Sequence, residues 1–139
     1  TYFAKYKRVK EFMEELKESA NKNEYVETMH GRKVFLPNIS HSNFQVRSAA
    51  ERTAINAPVR GSAADIIKIA MIQIDQWLSN NKSDTKMIMQ VHDELVFEIP
   101  EKNAVADVEN IIKIMKNCVS LNLPLEVNYG IDKNWGDAH

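Results

Sequence analysis

Three ionisable residues stand in a row between two apolar segments of this sequence. His92, Asp93 and Glu94 separate residues 87–91 from residues 95–99. With Glu94 counted as the first residue of the second strand, two polar residues join two mainly apolar runs, a pattern that predicts a tight β-hairpin, here without the glycine that is usual at such a turn. Carboxylates at a rigid hairpin tip suit a hard cation, whose preferred ligands are oxygens. A polar turn that binds no metal explains the same residues, and this alternative stays open.

The two carboxylates of this turn are neighbours in sequence. Because successive side chains of a strand point to opposite faces, Asp93 and Glu94 are not expected to chelate one ion symmetrically. One of them should be the principal ligand, with the other at the margin of the site. The remaining histidines, His30, His41 and His139, show no metal-ligand spacing and are expected on the surface.

A second candidate surface lies on a predicted helix over residues 45–56. Steps of three and four residues place four polar side chains on one face: Gln45, Ser48, Arg52 and Asn56. Arginine and asparagine are donors that read groove edges and phosphates in nucleic acids. Small residues behind this face would let the helix lie close to the rest of the domain. An amphipathic helix with a merely solvated polar face is the alternative.

Charge is distributed unevenly along the chain, although 18 basic and 19 acidic residues leave a net charge of only −1. Residues 28–64 contain one acid, Glu51, and five basic residues, which are Arg32, Lys33, Arg47, Arg52 and Arg60. Residues 84–139 carry ten acids and five bases, a local charge of −5. A basic stretch beside an acidic one is compatible with a surface that binds a polyanion next to a surface that binds metal. A random distribution of surface charges explains the same pattern.

The composition is that of a soluble globular protein. The 139 residues suffice for one domain, with 44% hydrophobic and 27% charged residues. Cys118 is the single cysteine, which excludes an internal disulfide framework and a cysteine-rich zinc site. No apolar run reaches the length of a membrane span, and the first residues lack a signal-peptide core. An intracellular, soluble protein is therefore expected.

Hydrophobic periodicity predicts an α+β fold, an antiparallel sheet with helices on one face. The predicted elements are helix 2–21, strands 25–29 and 33–36, helix 44–56, helix 62–79, strands 87–91 and 94–99, helix 103–118 and strand 124–129. Pro58 separates the second helix from the third, because proline cannot continue a helix. Ser62 and Asp65 then form a variant of the capping box at the new helix start.

Two stretches resemble the family of bacterial DNA polymerase I, the A family. Residues 50–58 (AERTAINAP) with residues 61–68 (GSAADIIK) are similar to the helix pair that precedes motif C in that family. Residues 90–98 (QVHDELVFE) are similar to motif C itself. Residues 27–33 (ETMHGRK), the Leu36-Pro37 step and the terminal NW…AH fit the same family in order and spacing, so the resemblance covers nearly the whole chain.

The resemblance implies a piece of a polymerase catalytic domain. Residues 1–36 would belong to the fingers and their junction, and residues 37–139 to the palm, whose hairpin 87–99 carries motif C. Asp93 would hold the two catalytic Mg²⁺ ions, with Glu94 in a supporting role. The implied reaction is attack of a primer 3′-hydroxyl on the α-phosphate of a deoxynucleoside triphosphate (dNTP), with release of pyrophosphate.

The resemblance also implies contacts with primer–template DNA. Arg52, Asn56 and His92 match family positions near the primer–template terminus, where minor-groove acceptors are largely independent of sequence. Three further basic residues would touch the sugar-phosphate backbone: Arg32, Lys33 and Arg47. The implied partners are this DNA, the dNTP and an N-terminal remainder of the same polymerase. The implied location is the bacterial cytoplasm, in association with the nucleoid and without membrane contact.

The sequence departs from the family pattern at two positions. Arg60 stands where the family has glutamine, which both donates and accepts hydrogen bonds, whereas arginine only donates and is charged. We expect Arg60 still to reach a minor-groove acceptor or a phosphate, so that duplex affinity survives while mismatch sensing changes. Ser62 replaces the usual threonine, keeps a hydroxyl and should matter little.

Two parts of the family site lie outside the resemblance. They are the motif A aspartate and the fingers helix that grips the triphosphate. Because one carboxylate turn cannot assemble a two-metal site, the chain is expected to be a C-terminal fragment that is inactive alone. A free-standing, catalytically dead duplex-binding module is the alternative. A structural domain in which residues 92–94 are only a turn is a third reading.

Overall fold

The computed structural model describes residues 2–138 and divides into two compact units, residues 1–65 and 66–139. The helices are α1 (Tyr2–Lys5), α2 (Lys7–Asn23), α3 (Phe44–Asn80) and α4 (Ala104–Asn117). The strands are β1 (Tyr25–Glu27), β2 (Lys33–Phe35), β3 (Lys86–Val91) and β4 (Glu94–Glu98). A 3₁₀ turn over Glu101–Asn103 leads into α4. The predicted mixture of helices with antiparallel strands is confirmed, but the prediction of one antiparallel sheet was wrong, because the strands of the described residues form two separate two-stranded sheets.

The predicted helix over residues 2–21 is interrupted at Tyr6. This residue has φ −120° and ψ 62°, which are not helical angles, and it separates the short α1 from the longer α2. Ala20 is buried, while Met13 and Leu16 are half-buried. At its end α2 passes into Glu24, a residue with φ 60° whose backbone N–H donates to the carbonyl oxygen of Ala20 at 2.8 Å. The left-handed residue thus stops the helix two residues later than the pattern predicted.

The first predicted hairpin is confirmed, with shorter strands. β1 and β2 pair antiparallel, with Val26 opposite Val34. Gly31 has φ +78°, a conformation that glycine adopts without a steric penalty, and its N–H donates to the carbonyl oxygen of Thr28 at 2.9 Å. The N–H of Thr28 donates in turn to the carbonyl oxygen of Arg32 at 3.0 Å, which closes the turn.

The prediction of a helix break at Pro58 was wrong, because α3 runs for 37 residues through this proline. An interior proline removes one backbone hydrogen bond and costs about 3 kcal/mol. Packing outweighs this local penalty, since Ala54, one turn earlier, is fully buried and Pro58 is buried as well. The predicted start of this helix at Phe44 is confirmed, and the side chain of Asn43 caps it by accepting the N–H of Gln45 at 2.9 Å.

The predicted capping box at Ser62 and Asp65 was wrong for the same reason. Both residues lie in the interior of α3, where no helix start needs a cap. The hydroxyl of Ser62 donates instead to the carbonyl oxygen of Pro58 at 2.5 Å, the usual i to i−4 bond of a serine within a helix.

Each unit has its own small core. In the first unit the buried cluster joins α2, the first hairpin, the loop after β2 and the start of α3, and consists of Ala20, Val26, Leu36, Ile39, Ala50 and Ala54. In the second unit the cluster joins the end of α3, β4 and α4. Ile74, Leu78 and Ile111 are buried there, with Trp77, Leu95, Phe97, Ile99, Ile114 and Met115 packed against them.

A buried carboxylate fastens α4 to the segment before β3. Asp107, in the first turn of α4, is 8% exposed. It accepts hydrogen bonds from the hydroxyl of Ser83 at 2.9 Å and from the hydroxyl of Thr85 at 2.5 Å. These bonds satisfy a charge that burial would otherwise make costly.

The predicted strand over residues 124–129 was wrong. Leu125 and Val127 are half-buried and alternate with exposed Glu126 and Asn128, so the period-two pattern is present. Yet neither sheet of residues 2–138 pairs with this segment, and a strand exists only through its ladder of hydrogen bonds. Across the described residues, no helix has the length and apolar character that crossing a membrane requires.

Candidate functional site

The hairpin of β3 and β4 carries the first candidate cluster, as predicted. Val91 pairs with Glu94 at the end of the ladder, so that His92 and Asp93 form the two-residue loop. The side chain of Gln90 donates to the carbonyl oxygen of His92 at 3.3 Å. His92, Asp93 and Glu94 are all exposed, so their polar groups are presented outward from the tip of a paired ladder.

His92 occupies the position where such loops favour glycine. Its φ is +53°, in the left-handed region that costs a residue with a Cβ atom roughly 1–2 kcal/mol. This explains how the hairpin forms without a glycine, since the histidine itself takes up the unfavourable conformation. Strained backbone of this kind concentrates at functional sites, where it fixes the direction of a side chain.

The tip has the donor chemistry of a magnesium site but not a complete ligand set. Asp93 and Glu94 offer the carboxylate oxygens that Mg²⁺ prefers. Within residues 2–138, no group of three or more His, Cys, Asp or Glu side chains is arranged to hold a metal ion. The residues therefore fit a contribution to a metal site, and further ligands would be needed to complete it.

The polar face of α3 forms the second cluster, within the first unit. Arg52 and Asn56 are exposed on this face, and Arg52 donates to the hydroxyl of Ser48 at 3.2 Å. Ala50 and Ala54, two of the small residues predicted behind this face, are buried on the opposite side of the helix, whereas Thr53, predicted with them, is exposed. Arg60 is exposed further along α3.

Two of the predicted backbone-contacting residues lie against aromatic rings. The ammonium nitrogen of Lys33 is 4.5 Å from the centre of the Tyr25 ring. Arg47 is half-buried, lies 5.7 Å from the centre of the Phe44 ring and donates to the carbonyl oxygen of His41 at 3.0 Å. Such cation–π contacts attract a basic side chain to one position over the ring. His41 and His30 are exposed as predicted, whereas His139 lies outside the described residues.

Arg32 makes contacts that the sequence did not predict. Its Nε atom donates to Oδ1 of Asp65 at 2.8 Å, and one of its terminal nitrogens donates to the carbonyl oxygen of Gly61 at 3.2 Å. Oδ2 of Asp65 accepts a 2.7 Å hydrogen bond from the hydroxyl of Thr28. Thr28 and Asp65 are both buried, while the Arg32 side chain remains 46% exposed.

These contacts perturb the acidity of Asp65. The hydrogen bond from Thr28 is the largest cause and lowers the pKa of this carboxyl group below its ordinary value. The Arg32 guanidinium lowers the pKa further, and burial opposes both effects. Asp65 is thus held as a carboxylate.

The sequence held one usable signal for this network. Had α3 been taken as continuous, Asp65 would have stood inside a helix among apolar neighbours, where a carboxylate needs a partner. No spacing in the sequence, however, indicates Thr28 as that partner.

The candidate residues are divided between the two units. Asp93, Glu94 and His92 belong to the second unit, whereas the predicted DNA-contacting residues other than His92 belong to the first.

Comparison with known proteins assigns the family. The sequence model of DNA polymerase family A matches residues 1–137. DNA polymerase I of Pseudomonas aeruginosa is 45% identical over 138 residues, which are 99% of this chain and 15% of that protein. DNA polymerase I of Mycobacterium leprae is 43% identical over 141 residues, again 99% of this chain and 15% of that protein.

A solved structure agrees with these relatives. The POL domain of Pol1 from M. smegmatis, in complex with DNA primer-template and dNTP, has a TM-score of 0.94 and 41% sequence identity. The match covers 99% of this chain and 24% of that one. The chain thus spans about 15% of the length of the P. aeruginosa and M. leprae relatives that it matches. A family model that matches nearly every residue, together with these relatives, establishes that the chain belongs to DNA polymerase family A.

Proposed function

We propose that this chain contributes to template-directed DNA synthesis as part of a longer family A polymerase. The observation that carries the proposal is the outward-facing Asp93–Glu94 pair at a rigid hairpin tip, in a chain whose family is assigned over residues 1–137. The reaction would join the primer 3′-oxygen to the α-phosphorus of a dNTP and break the bond from that phosphorus to the pyrophosphate oxygen. Residues 1–36 would form the end of the fingers and their junction, and residues 37–139 the palm.

Asp93 is proposed as the principal metal-binding carboxylate of this chain, with Glu94 beside it. Bound Mg²⁺ would supply Lewis-acid stabilisation of the negative charge on the reacting oxygens. The hairpin's own part is to hold the Asp93 carboxylate in one direction, because the paired ladder ends immediately before and after the loop. Since two adjacent carboxylates do not complete such a site, we expect the 139-residue chain alone to be catalytically inactive.

The basic and polar residues of α3 and the hairpins are proposed to hold primer–template DNA. Arg52, Asn56, Arg60 and His92 would face the minor groove near the primer terminus. Acceptors there differ little between base pairs, which suits an enzyme that must bind every sequence. Arg32, Lys33 and Arg47 would neutralise phosphates, a contribution that weakens with added salt.

The proposal is tested with a chimera in which this chain replaces the matching segment of the P. aeruginosa relative. Asp93→Asn should reduce primer extension by several orders of magnitude, because it removes a metal-binding charge, and should leave duplex affinity nearly unchanged. Glu98→Gln is the matched control, since Glu98 is an exposed acid at the far end of β4, the strand that follows the loop. An Asp93→Asn chimera that extends primers as well as the control would contradict the proposal.

A further inference from the structure

We propose that Asp65 is a positioning residue, which with Thr28 fixes the Arg32 guanidinium for contact with the sugar-phosphate backbone of duplex DNA. The proposal rests on the function proposed above, because duplex DNA is the ligand concerned. Asp65 itself is buried and 7% exposed, so it is not offered as a DNA contact. Its effect on DNA would pass through Arg32.

The guanidinium is held on one side and open on the other. The group carries five N–H donors in a planar fork. Nε is engaged by Asp65 and Nη2 by the carbonyl oxygen of Gly61, and neither bond uses Nη1. With the side chain 46% exposed, donors remain for an anion in solvent. Arginine normally loses much rotamer freedom when it binds a phosphate, and a side chain already fixed loses less.

The hydroxyl of Thr28 contacts both the carboxylate of Asp65 and the backbone of Arg32. Its hydroxyl donates to Oδ2 of Asp65 at 2.7 Å and accepts the backbone N–H of Arg32 at 3.2 Å. The same oxygen therefore orients the carboxylate that holds the guanidinium and the peptide from which that side chain departs. Met29 adds a further link, since its N–H donates to the hydroxyl of Ser62 at 2.8 Å.

Gly61 allows the close approach on which the network depends. A Cβ atom at this position would lie 2.7 Å from Cγ2 of Thr28 and 3.2 Å from Nη2 of Arg32. Arg60 precedes this glycine in α3 and is exposed. Arg32 is thus fastened beside the helical turn that carries a second basic residue, so that two cations share one rigid support.

The Asp65→Asn variant is a sharp test, because an electrostatic effect and a positioning role predict opposite changes in DNA affinity. If only electrostatics matters, the variant should bind DNA more tightly, because it removes a negative charge near the ligand. If Asp65 positions Arg32, the variant should bind DNA more weakly, because a neutral amide holds the guanidinium poorly. For the 139-residue chain and a fluorescent primer–template duplex, we expect Kd to rise roughly tenfold. The slope of log K against log salt should shrink by about 0.9, the loss of one phosphate contact.

Three further variants separate positioning from charge and from folding. Glu27→Gln removes one negative charge at an exposed site at the end of β1, and should leave affinity unchanged or slightly tighter. Adding Asp65→Asn to Arg32→Ala should cause no further loss, because the positioned group is already absent. Arg32→Lys keeps the charge but not the fork, and should bind nearly as weakly as Arg32→Ala.

Each result supports or overturns the proposal. Asp65→Asn binding as tightly as the unchanged chain would overturn it, as would an equal loss of affinity in the Arg32→Ala background. If Asp65→Asn is unfolded by circular dichroism at the assay temperature, Arg32→Lys decides, and an affinity equal to that of the unchanged chain overturns the proposal. An unchanged chain without salt-dependent duplex binding would contradict the proposed DNA contacts as well, whereas failure of the variants alone leaves those contacts standing.

Discussion

The hydroxyl of Thr28 donates a 2.7 Å hydrogen bond to the carboxylate of Asp65, which lies 37 residues later in the sequence. This bond joins the turn of the first hairpin to the middle of α3 inside one compact unit. Both partners are buried, so the bond forms away from most solvent competition. It stabilises the ionised form of Asp65 and thereby makes the stability of this unit depend on pH.

Acid should remove the stabilisation that Asp65 provides. The pKa of Asp65 in the folded chain is lowered, so the stabilisation is complete above the unfolded value of about 3.9 and is lost as pH falls through the folded value. Thermal melts from pH 6 to pH 3 should show the unchanged chain melting higher than Asp65→Asn at pH 6, with the difference shrinking below about pH 4. A difference that stays constant over this range would show that the carboxylate charge is irrelevant.

Gly61→Ala should destabilise the chain, although alanine is the better helix former by about 1 kcal/mol. The added Cβ atom would meet Cγ2 of Thr28 at 2.7 Å, a distance that real Cβ atoms essentially never show. Urea unfolding should therefore give a lower midpoint for Gly61→Ala. Adding Thr28→Ser removes the clashing methyl group and keeps the hydroxyl that Asp65 needs, so the double variant should recover most of the loss.

Asp107→Ala should cost about 1–3 kcal/mol of unfolding free energy, because it leaves the hydroxyls of Ser83 and Thr85 without their shared acceptor. Urea denaturation followed by circular dichroism measures this loss. Glu109→Ala, an exposed change on the same helix, should stay within about 0.5 kcal/mol of the unchanged chain. Equal losses of unfolding free energy in the two variants would contradict the stabilising role of the Asp107 hydrogen bonds.

His92→Gly should stabilise the second hairpin by up to about 1 kcal/mol, because glycine adopts φ +53° without the penalty of a Cβ atom. His92→Ala keeps that penalty and should give no such gain. Both variants lose the imidazole and should weaken duplex binding equally if His92 contacts DNA. Thermal melts and duplex titrations of the two variants, side by side, separate the backbone effect from the side-chain effect.

Arg60→Gln should alter mismatch discrimination more than duplex affinity, because glutamine can accept as well as donate a hydrogen bond in the minor groove. The comparison uses the chimeric polymerase described above and measures extension of matched and mismatched primer ends. Identical discrimination by the two forms would remove the proposed role in fidelity. A large loss of duplex affinity would indicate instead that Arg60 acts mainly on phosphate.

Local patterns were enough to predict both hairpins and the start of α3. The turn at Gly31 and the polar pair between two apolar runs are features of a few neighbouring residues, and those residues control turn geometry directly. The exposed tip at Asp93 followed from the same pattern. Its proposed role came from the family resemblance and not from the spacing.

Features that depend on distant parts of the chain could not be predicted in this way. Pro58 carries a local penalty, but the burial of its helical neighbours decides whether the helix continues. The partner of Asp65 lies 37 residues earlier, and no periodicity connects the two. Residues 124–129 have the alternation of a strand, yet pairing depends on a neighbour that the sequence pattern does not specify.

Sheets of two strands have a consequence for handling this chain. In each hairpin of the described residues, both strands are edge strands, so the outer backbone N–H and C=O groups of each lack a ladder partner within the sheet. Such edges are templates for strand addition between molecules, especially where exposed apolar side chains such as Ile88 adjoin them. The irregular register between Met87 and Met89 interrupts one of these edges, and such irregularities make strand addition between molecules less favourable. A variant in which β3 and β4 pair in one continuous register should therefore aggregate faster, although no residue proposed to contact DNA or metal is changed.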